Sequence, residues 1–185
     1  FFSDETFRND FCTHSAAKTM HHGFMGGLLE HTLGVEKLCN FMSDQYPVLN
    51  RDLLLVAATL HDIGKLDEIS DFPENDYTDA GQLLGHIYIG AKWIEERCAQ
   101  IPDFPEKAKR ELVHCILAHH GELEFGSPKK PALIEALALS MADNMDAKVE
   151  MFTEALRAAG TRTDWLGFNK VMESNIRRTS TYEEK

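Results

Sequence analysis

Apolar residues recur with helical spacing along almost the whole chain, and this periodicity limits the fold more than any other feature of the sequence. No run alternates between apolar and polar residues well enough to predict a strand. With its Pro and Gly breaks, the pattern predicts main helices over residues 26–46, 51–61, 82–100, 105–120 and 131–159, a loop over 67–81, and a short helix around 165–176. The expected fold is therefore all-α, a compact helical bundle.

The composition is that of a globular protein: 43% of the 185 residues are hydrophobic, 26% are charged, and the net charge is −11. This acidic balance suits nucleic-acid binding poorly, so an anionic partner has to be met by metal ions or a local basic cluster. The longest apolar run, residues 53–60, is too short for a membrane span, and no signal peptide is visible. The four cysteines form no C-x-x-C pair, which favours reduced thiols and a cytoplasmic location.

Histidine and aspartate side chains fall on the apolar stripes of different predicted helices. The inward positions are His31, His61, His86 and Asp143. A single inward histidine is ordinarily a core imidazole bonded to a carbonyl, but an inward aspartate is costly unless it is paired or binds a cation. Several such groups on different helices, with Asp62 beside one of them, favour a metal site inside the bundle.

The strongest local motif is His61-Asp62-Ile63-Gly64-Lys65. Adjacent His and Asp side chains at a helix end can reach one metal, and a carboxylate can also bridge two metals, which an imidazole cannot do. If the turn stays helical, Lys65 shares a face with His61, where its ammonium suits a phosphate oxygen. The motif is short and common by itself, but it is specific when combined with an upstream inward His and a downstream inward Asp.

The spacing of these residues resembles the HD superfamily of metal-dependent phosphohydrolases, and further histidines resemble its dinuclear branch: His86, His119 and His120. Longer stretches are similar to the YhaM-type 3′→5′ exoribonucleases. They are AAKTMHHGFMGGLLEHTLGV (16–35), YPVLNRDLLLVAATLHDIGK (46–65), LLGH (83–86), AHHGELEFGSPKKP (118–131) and ADNMDAK (142–148). The resemblance covers about residues 16–148.

The same resemblance implies a domain organisation, because YhaM-type proteins join an N-terminal OB-fold to a C-terminal HD domain. The chain begins with Phe1 and not Met, so we expect an upstream OB-fold domain to be missing. We expect an N-terminal extension over 1–15, an HD phosphohydrolase domain over 16–160 and a helical tail over 161–185. Trp165, Leu166 and Phe168 of the tail are apolar enough to pack on the bundle or on a neighbouring subunit, which leaves an oligomer open.

The resemblance also implies the metal ligands. The first metal is expected on His31, His61, Asp62 and Asp143. Asp62 then bridges to a second metal, which His86 and one of two adjacent histidines complete. We favour His119 as that ligand and expect His120 near the phosphate, with the reverse order left open.

Further roles concern substrate. Asp62, Lys65 and His120 are the expected catalytic residues, with Lys65 on the scissile phosphate. His21, His22 and Asn144 are expected to line or orient the substrate. Lys129, with Lys130 beside it, is expected to meet a nucleic-acid backbone, although a solvated charged turn explains the pair equally well.

Mixed imidazole and carboxylate ligands suit two divalent transition metals, with Mn²⁺ preferred and Fe²⁺, Co²⁺ or Zn²⁺ as alternatives. The absence of a G-x-S-x-G elbow and a Walker loop agrees with hydrolysis by metal-activated water. The expected function is a 3′→5′ exoribonuclease-like phosphodiesterase that releases nucleoside monophosphates from RNA. Two alternatives remain: hydrolysis of a small nucleotide, and a non-catalytic module that binds a nucleotide or a metal.

Overall fold

The computed structural model describes residues 1–18, 23–162 and 164–180. The chain divides into two compact units, Phe1–Ala147 and Lys148–Lys185. The helices are α1 (Glu5–Thr13), α2 (Gly27–Gln45), α3 (Arg51–Leu60), α4 (Lys65–Glu68), α5 (Asp79–Ala99), α6 (Glu106–Leu117) and α7 (Ile134–Ala158), with a 3₁₀ turn at Leu123–Phe125. The all-α prediction is confirmed, since the five main helices lie where the apolar periodicity placed them. Within the described ranges, none of the helices has the length and hydropathy needed to span a bilayer.

The core of the first unit forms between the apolar stripes of its helices. Its fully buried side chains include Leu28, Val35, Leu54, Ile94, Ile116 and Leu139. Burying each aliphatic side chain of this kind stabilises the fold by about 1.5–3 kcal/mol. Since the same stripes carry the inward histidines and Asp143, apolar packing also fixes the direction in which those side chains point.

Residues 1–15, which we expected to be an extension, pack within the first unit. Asp4 accepts hydrogen bonds from the N–H groups of Thr6 and Phe7, and so caps α1. Phe11 is 1% exposed and packs edge-on against the ring of Phe2, 5.1 Å away between centroids. This short polar helix was not predicted, because only one of its faces contributes to the core.

The segment after the HDIGK motif was predicted as a loop over 67–81, but it contains more structure. The helical turn continues past Gly64 into α4, and Ile69 then pairs with Tyr77 in an isolated antiparallel bridge. Helix α5 follows and is interrupted at Gly85, whose φ of 74° and ψ of 153° are not helical. The interruption leaves the backbone N–H of His86 available, and it donates a hydrogen bond to Glu68 Oε1 at 3.0 Å.

The helix predicted over 165–176 was wrong. The second unit instead contains an antiparallel hairpin of β1 (Trp165–Asn169) and β2 (Ser174–Arg177). Aromatic and β-branched residues favour strands, and Gly167 adopts a positive φ of 103° that a helix does not allow. Asn169 closes the turn by accepting hydrogen bonds from the N–H groups of Val171 and Met172.

Candidate metal centre

Seven side chains predicted as metal ligands converge inside the first unit. They are His31 on α2, His61 and Asp62 just after α3, His86 on α5, His119 and His120 just after α6, and Asp143 on α7. Four of them are at most 3% exposed: His31, His61, Asp62 and His119. A buried cluster of this kind is costly unless its members neutralise one another or share a bound cation.

The first group of ligands consists of His31, His61 and Asp143, whose candidate donor atoms all lie within 4.8 Å of one another. His31 Nε2 lies 3.2 Å from His61 Nε2 and 3.2 Å from Asp143 Oδ1. His61 Nε2 lies 4.0 Å from the same Asp143 oxygen. Two imidazoles and one carboxylate therefore point at a common centre.

The second group consists of His86, His119 and His120, and its donor atoms also lie within 4.8 Å of one another. The rings of His119 and His120 are 4.4 Å apart between centroids, and the ring of His86 is 5.2 Å from that of His120. The sequence left open which of the two adjacent histidines faces the centre. The structure brings both of them there.

Asp62 lies between the two groups and directs one oxygen at each. Its Oδ2 is 3.5 Å from His31 Nε2 and 3.3 Å from His61 Nε2, in the first group. Its Oδ1 is 3.5 Å from His86 Nε2 and 3.7 Å from His119 Nε2, in the second group. One carboxylate is thus shared by both groups, which is the arrangement required to bridge two metals.

All five histidines use Nδ1 for a hydrogen bond to an oxygen that can only accept. The acceptors are Asp146 Oδ2 for His31, the Ala58 carbonyl for His61, Glu68 Oε1 for His86, the Ile116 carbonyl for His119 and the Phe125 carbonyl for His120, at 2.7–2.8 Å. Each Nδ1 therefore carries the proton. In the neutral ring this leaves the Nε2 lone pair free to bind a metal, and the bond fixes the orientation of the ring.

Two of those acceptors are carboxylates placed by close contacts between helices. Asp146 reaches His31 because α2 carries Gly34, where a Cβ atom would lie 2.1 Å from Asp146 Oδ1. Glu68 reaches His86 because the turn before it carries Gly64, where a Cβ atom would lie 2.1 Å from the His86 carbonyl oxygen. A side chain at either glycine would push the carboxylate away from its histidine.

Lys65 is the cation nearest the bridging carboxylate. Its Nζ lies 2.7 Å from Asp62 Oδ2, across a turn in which the Lys65 N–H donates to the Asp62 carbonyl. Burial on its own would lower the pKa of Lys65, but the Asp62 carboxylate outweighs burial and raises it, so the ammonium stays charged. The backbone of Lys65 is held by His14, a buried residue whose Nε2 donates to the Lys65 carbonyl at 3.0 Å.

The pKa of His31 in the first group and that of His119 in the second group are shifted in opposite directions. Burial lowers the pKa of His31, but hydrogen bonds to Asp143 and Asp146 outweigh it and raise the pKa to about 9. Burial would raise the pKa of Asp143, yet the bond to His31 and the nearby imidazoles hold it well below its usual range. In the second group, burial and the neighbouring ring of His120 lower the pKa of His119.

The donor set fits a divalent metal in each group. Among the described residues, Asp62 Oδ1, His86 Nε2 and His119 Nε2 are buried without a hydrogen-bond partner. Each unpaired buried polar atom costs about 1–3 kcal/mol, and a cation between them would remove that cost. Imidazole nitrogens combined with carboxylate oxygens suit a first-row transition metal.

The metal centre forms the floor of a cavity of about 450 Å³. This volume is within the range of small-ligand sites. The cavity is lined by Ala16, Ala17, His31, Asp62, Lys65, Glu68, Ile69, Tyr77, His86, His120, Phe125, Ser140, Asp143, Asn144 and Ala147. The two groups therefore open onto a shared space that can hold a substrate.

A sequence profile places this arrangement among known proteins. The profile of the HD domain matches residues 28–148, which is most of the first unit and includes all seven candidate ligand residues. The chain belongs to the HD domain family. This confirms the family predicted from the sequence and, with it, the expectation of a hydrolase domain.

Curated relatives of this HD domain carry the name 3′-5′ exoribonuclease YhaM. The Bacillus subtilis protein is 40% identical over 147 residues, which is 80% of this chain and 46% of that protein. The Listeria welshimeri protein is 39% identical over 154 residues, covering 82% of this chain and 48% of that protein. The chain thus spans about half the length of the curated relatives that it matches.

A solved structure supports the fold of the HD domain. The HD domain of the L. monocytogenes phosphodiesterase PgpH superposes with a TM-score of 0.50 at 19% identity, covering 79% of this chain and 74% of that one. At this identity, the likeness concerns the arrangement of helices.

The other residues predicted to contact substrate do not all line the cavity of the HD domain. Asn144 lines the cavity, one residue after Asp143. Among the described residues, the lining does not include Lys129 or Lys130; Lys130 instead pairs with Glu122. His21 and His22 lie outside the described residues.

Sequence reasoning missed Glu68 and His14. Glu68 follows His61 by seven residues, which is two helical turns, and this spacing was the available signal. We had assigned Glu68 to a loop, so its face was not considered. His14 had no comparable signal, because its partner is a backbone carbonyl distant in the sequence.

Proposed function

We propose that this chain is the catalytic HD domain of a 3′→5′ exoribonuclease-like protein and hydrolyses phosphodiesters to release nucleoside monophosphates. One observation carries the proposal: the two oxygens of Asp62 face two separate histidine groups. Two metals sharing a carboxylate form a familiar centre for phosphodiester hydrolysis. The similarity to proteins named 3′-5′ exoribonuclease supports RNA as the substrate class.

The residues of each group have defined tasks in this proposal. His31, His61, Asp143 and Asp62 Oδ2 would hold one metal, while His86, His119, His120 and Asp62 Oδ1 would hold the other. When bound, the metals supply Lewis-acid charge to the phosphoryl oxygens and a water activated for attack. Mn²⁺ is the ion that we propose first, since this mixed donor set suits it.

Lys65 would hold the phosphate in place. Its ammonium is charged and lies 2.7 Å from Asp62, the residue that both ligand groups share. A charge-assisted hydrogen bond to a phosphoryl oxygen would orient the ester and stabilise the charge that develops during hydrolysis.

His120 and Asn144 would complete the substrate site. His120 is the more accessible member of the adjacent pair, and its Nδ1 is held by the Phe125 carbonyl. Through its free Nε2 it would bind a metal or accept a hydrogen bond from the attacking water. Asn144, which also lines the cavity, would orient the nucleotide, while His21, His22 and Lys129 remain proposed contacts to the rest of an RNA chain.

We propose that tight binding of long RNA depends on another domain of the full protein. The chain has a net charge of −11 and spans about half of its relatives, in agreement with a separate OB-fold domain in the full protein. This chain alone should therefore hydrolyse short oligonucleotides and model diesters, but bind long RNA weakly at physiological salt.

The test is Mn²⁺-dependent hydrolysis of a 5′-labelled short RNA by this chain. We expect a ladder of products shortened one nucleotide at a time, and loss of the ladder in Asp62→Ala. The matched control is Asp52→Ala, an exposed aspartate on the neighbouring helix α3, which should behave as wild type. Intact RNA at every metal concentration would contradict the exoribonuclease assignment.

A second candidate is hydrolysis of a small nucleotide. It is favoured by the limited cavity of about 450 Å³ and by the acidic surface. In this case the same assay leaves RNA uncut, while a cyclic nucleotide is opened to a single product or a dinucleotide is split into its two halves. If Asp62→Ala changes only ligand affinity or folding, and no ester is cleaved by the wild type, a non-catalytic binding module is indicated.

A further inference from the structure

Two aromatic side chains stand exposed on the walls of the cavity above the metal centre. Tyr77 is 46% exposed and Phe125 is 59% exposed, and both line the cavity. Aromatic rings dominate binding energetics where they are left accessible beside a polar centre. The candidate metal ligands explain the polar residues that line the cavity, but they do not explain why two aromatic rings are exposed there.

Each ring belongs to a segment that is tied to the metal centre. Phe125 ends the 3₁₀ turn, and its carbonyl accepts the Nδ1 hydrogen of His120 at 2.8 Å. Tyr77 pairs with Ile69, the residue that directly follows Glu68, and Glu68 holds His86. The rings are therefore placed relative to the phosphate end of the site by the same contacts that orient two metal-binding histidines.

The rings have no partner of their own within the part of the chain that the structure describes. Neither takes part in an aromatic pair or a cation–π contact there, unlike Phe2 and Phe11 of the N-terminal cluster. Their faces are consequently available to a flat ligand entering the cavity.

We propose, on the basis of the phosphodiester hydrolysis proposed above, that Tyr77 and Phe125 form a subsite that stacks on the base of the nucleotide whose phosphate lies on the metal centre. Stacking suits an acidic chain because it needs no positive charge. It also tolerates any base, since every base has a π-face. The ligand class is thus a nucleoside 5′-monophosphate unit, and its source is decided by the RNA ladder assay described above.

The test compares two esters that share a leaving group. One is the p-nitrophenyl ester of thymidine 5′-monophosphate, which has a base, and the other is methyl p-nitrophenyl phosphate, which has none. Wild type should favour the nucleoside ester in kcat/KM. In Tyr77→Leu and in Phe125→Leu, the ratio of the two kcat/KM values should fall roughly tenfold, mainly through KM. Tyr77→Phe keeps the ring and should keep the ratio.

Matched controls come from exposed rings that do not line the cavity. Phe41 is 60% exposed and Tyr46 is 61% exposed, which resembles the exposure of the proposed pair. Phe41→Leu and Tyr46→Leu should leave both rates and their ratio at the wild-type values. An equal loss on both esters in the Tyr77 and Phe125 variants would overturn the subsite, since the rings would then act on the fold or the ester.

A binding measurement separates this inference from the proposed catalysis. Calorimetry with Mn²⁺ present should show adenosine 5′-monophosphate binding more tightly than ribose 5-phosphate, with the difference reduced about tenfold in Tyr77→Leu or Phe125→Leu. This holds even if neither ester is hydrolysed, in which case the hydrolase proposal fails and the base subsite stands. Equal affinities of the two ligands for wild type would overturn the subsite whatever the activity.

Discussion

The two histidine groups of the candidate metal centre differ in their carboxylates. The first group combines His31 and His61 with Asp143, and Asp146 supports it from behind. The second has three imidazoles, and besides the shared Asp62 its only carboxylate among the described contacts is Glu68.

This difference predicts unequal metal sites. Carboxylates add negative charge to the first group and should hold a divalent cation more firmly than neutral imidazoles alone. Both groups open onto the cavity, so the expected difference between the two metals follows from the carboxylates. We therefore expect the first metal to be the more permanent and the second to be the one that chelators remove first.

The largest effect is expected from removing the residue that both groups share. Asp62→Ala deletes one oxygen from each group and leaves Lys65 buried without its carboxylate. We expect Mn²⁺-dependent hydrolysis of a model diester to fall about a thousandfold, and metal content to fall at both sites. Mass spectrometry of the purified protein and steady-state rates measure the two effects. An Asp62→Ala protein that keeps two metals per chain would show that this carboxylate bridges nothing.

A smaller and one-sided effect is expected from the second group. His86→Ala removes one of its three imidazoles and leaves every ligand of the first group in place. Metal content should approach one per chain, and hydrolysis should fall roughly a hundredfold. His31→Ala removes a ligand of the first group instead, and should weaken binding of the more firmly held metal. Loss of both metals in either variant would mean that the groups are not separate sites.

Helical periodicity could predict that His31 and Asp143 converge because apolar packing determines the helix face on which each one lies. The register of α2 and α7 follows from buried residues such as Leu28 and Leu139, so His31 and Asp143 had to face inward. The same argument could not find Glu68. Its contact with His86 depends on how closely the turn at Gly64 approaches α5, and helical periodicity says nothing about that distance.

The C-terminal hairpin escaped prediction for a different reason. Its first strand contains Gly167 and a register irregularity between Trp165 and Gly167, so apolar and polar residues do not alternate in period two. The strands are short, and in the second only Ile176 is buried. Such pairing is decided by turn geometry around Asn169 and by the positive φ of Glu173, not by a hydrophobic pattern.

A further prediction compares the two carboxylates that support the histidines from behind. Asp146→Asn should weaken metal binding at the first group, and Glu68→Gln at the second, each by about tenfold to a hundredfold. The amide keeps the shape but loses the charge that raises the basicity of the imidazole. Metal titration by calorimetry gives both affinities in each variant. If either substitution weakened both sites alike, the effect would come from the fold and not from its own histidine.

The smallest effect is a pH dependence of the metal-free protein. The folded pKa of His31 is raised to about 9, so its protonated form stabilises the fold. That contribution is complete below its ordinary pKa of 6.5 and is lost as the pH rises toward 9. The pKa values of His119 and His120 are lowered instead, so they destabilise the fold as the pH falls below 6.5.

The melting temperature in excess chelator should therefore be highest near pH 6.5 and lower by a few degrees at either extreme, as a change of about 1 kcal/mol shifts Tm by about 2–4 °C at this chain length. Scanning calorimetry from pH 5 to 9 measures both limbs. His31→Gln should remove the decline above pH 6.5 and leave the acid limb in place. Saturating Mn²⁺ should also flatten the upper limb, since a metal on Nε2 of His31 excludes the proton that confers it. A metal-free protein whose Tm is unchanged between pH 6.5 and 9 would show that the first group holds no such proton.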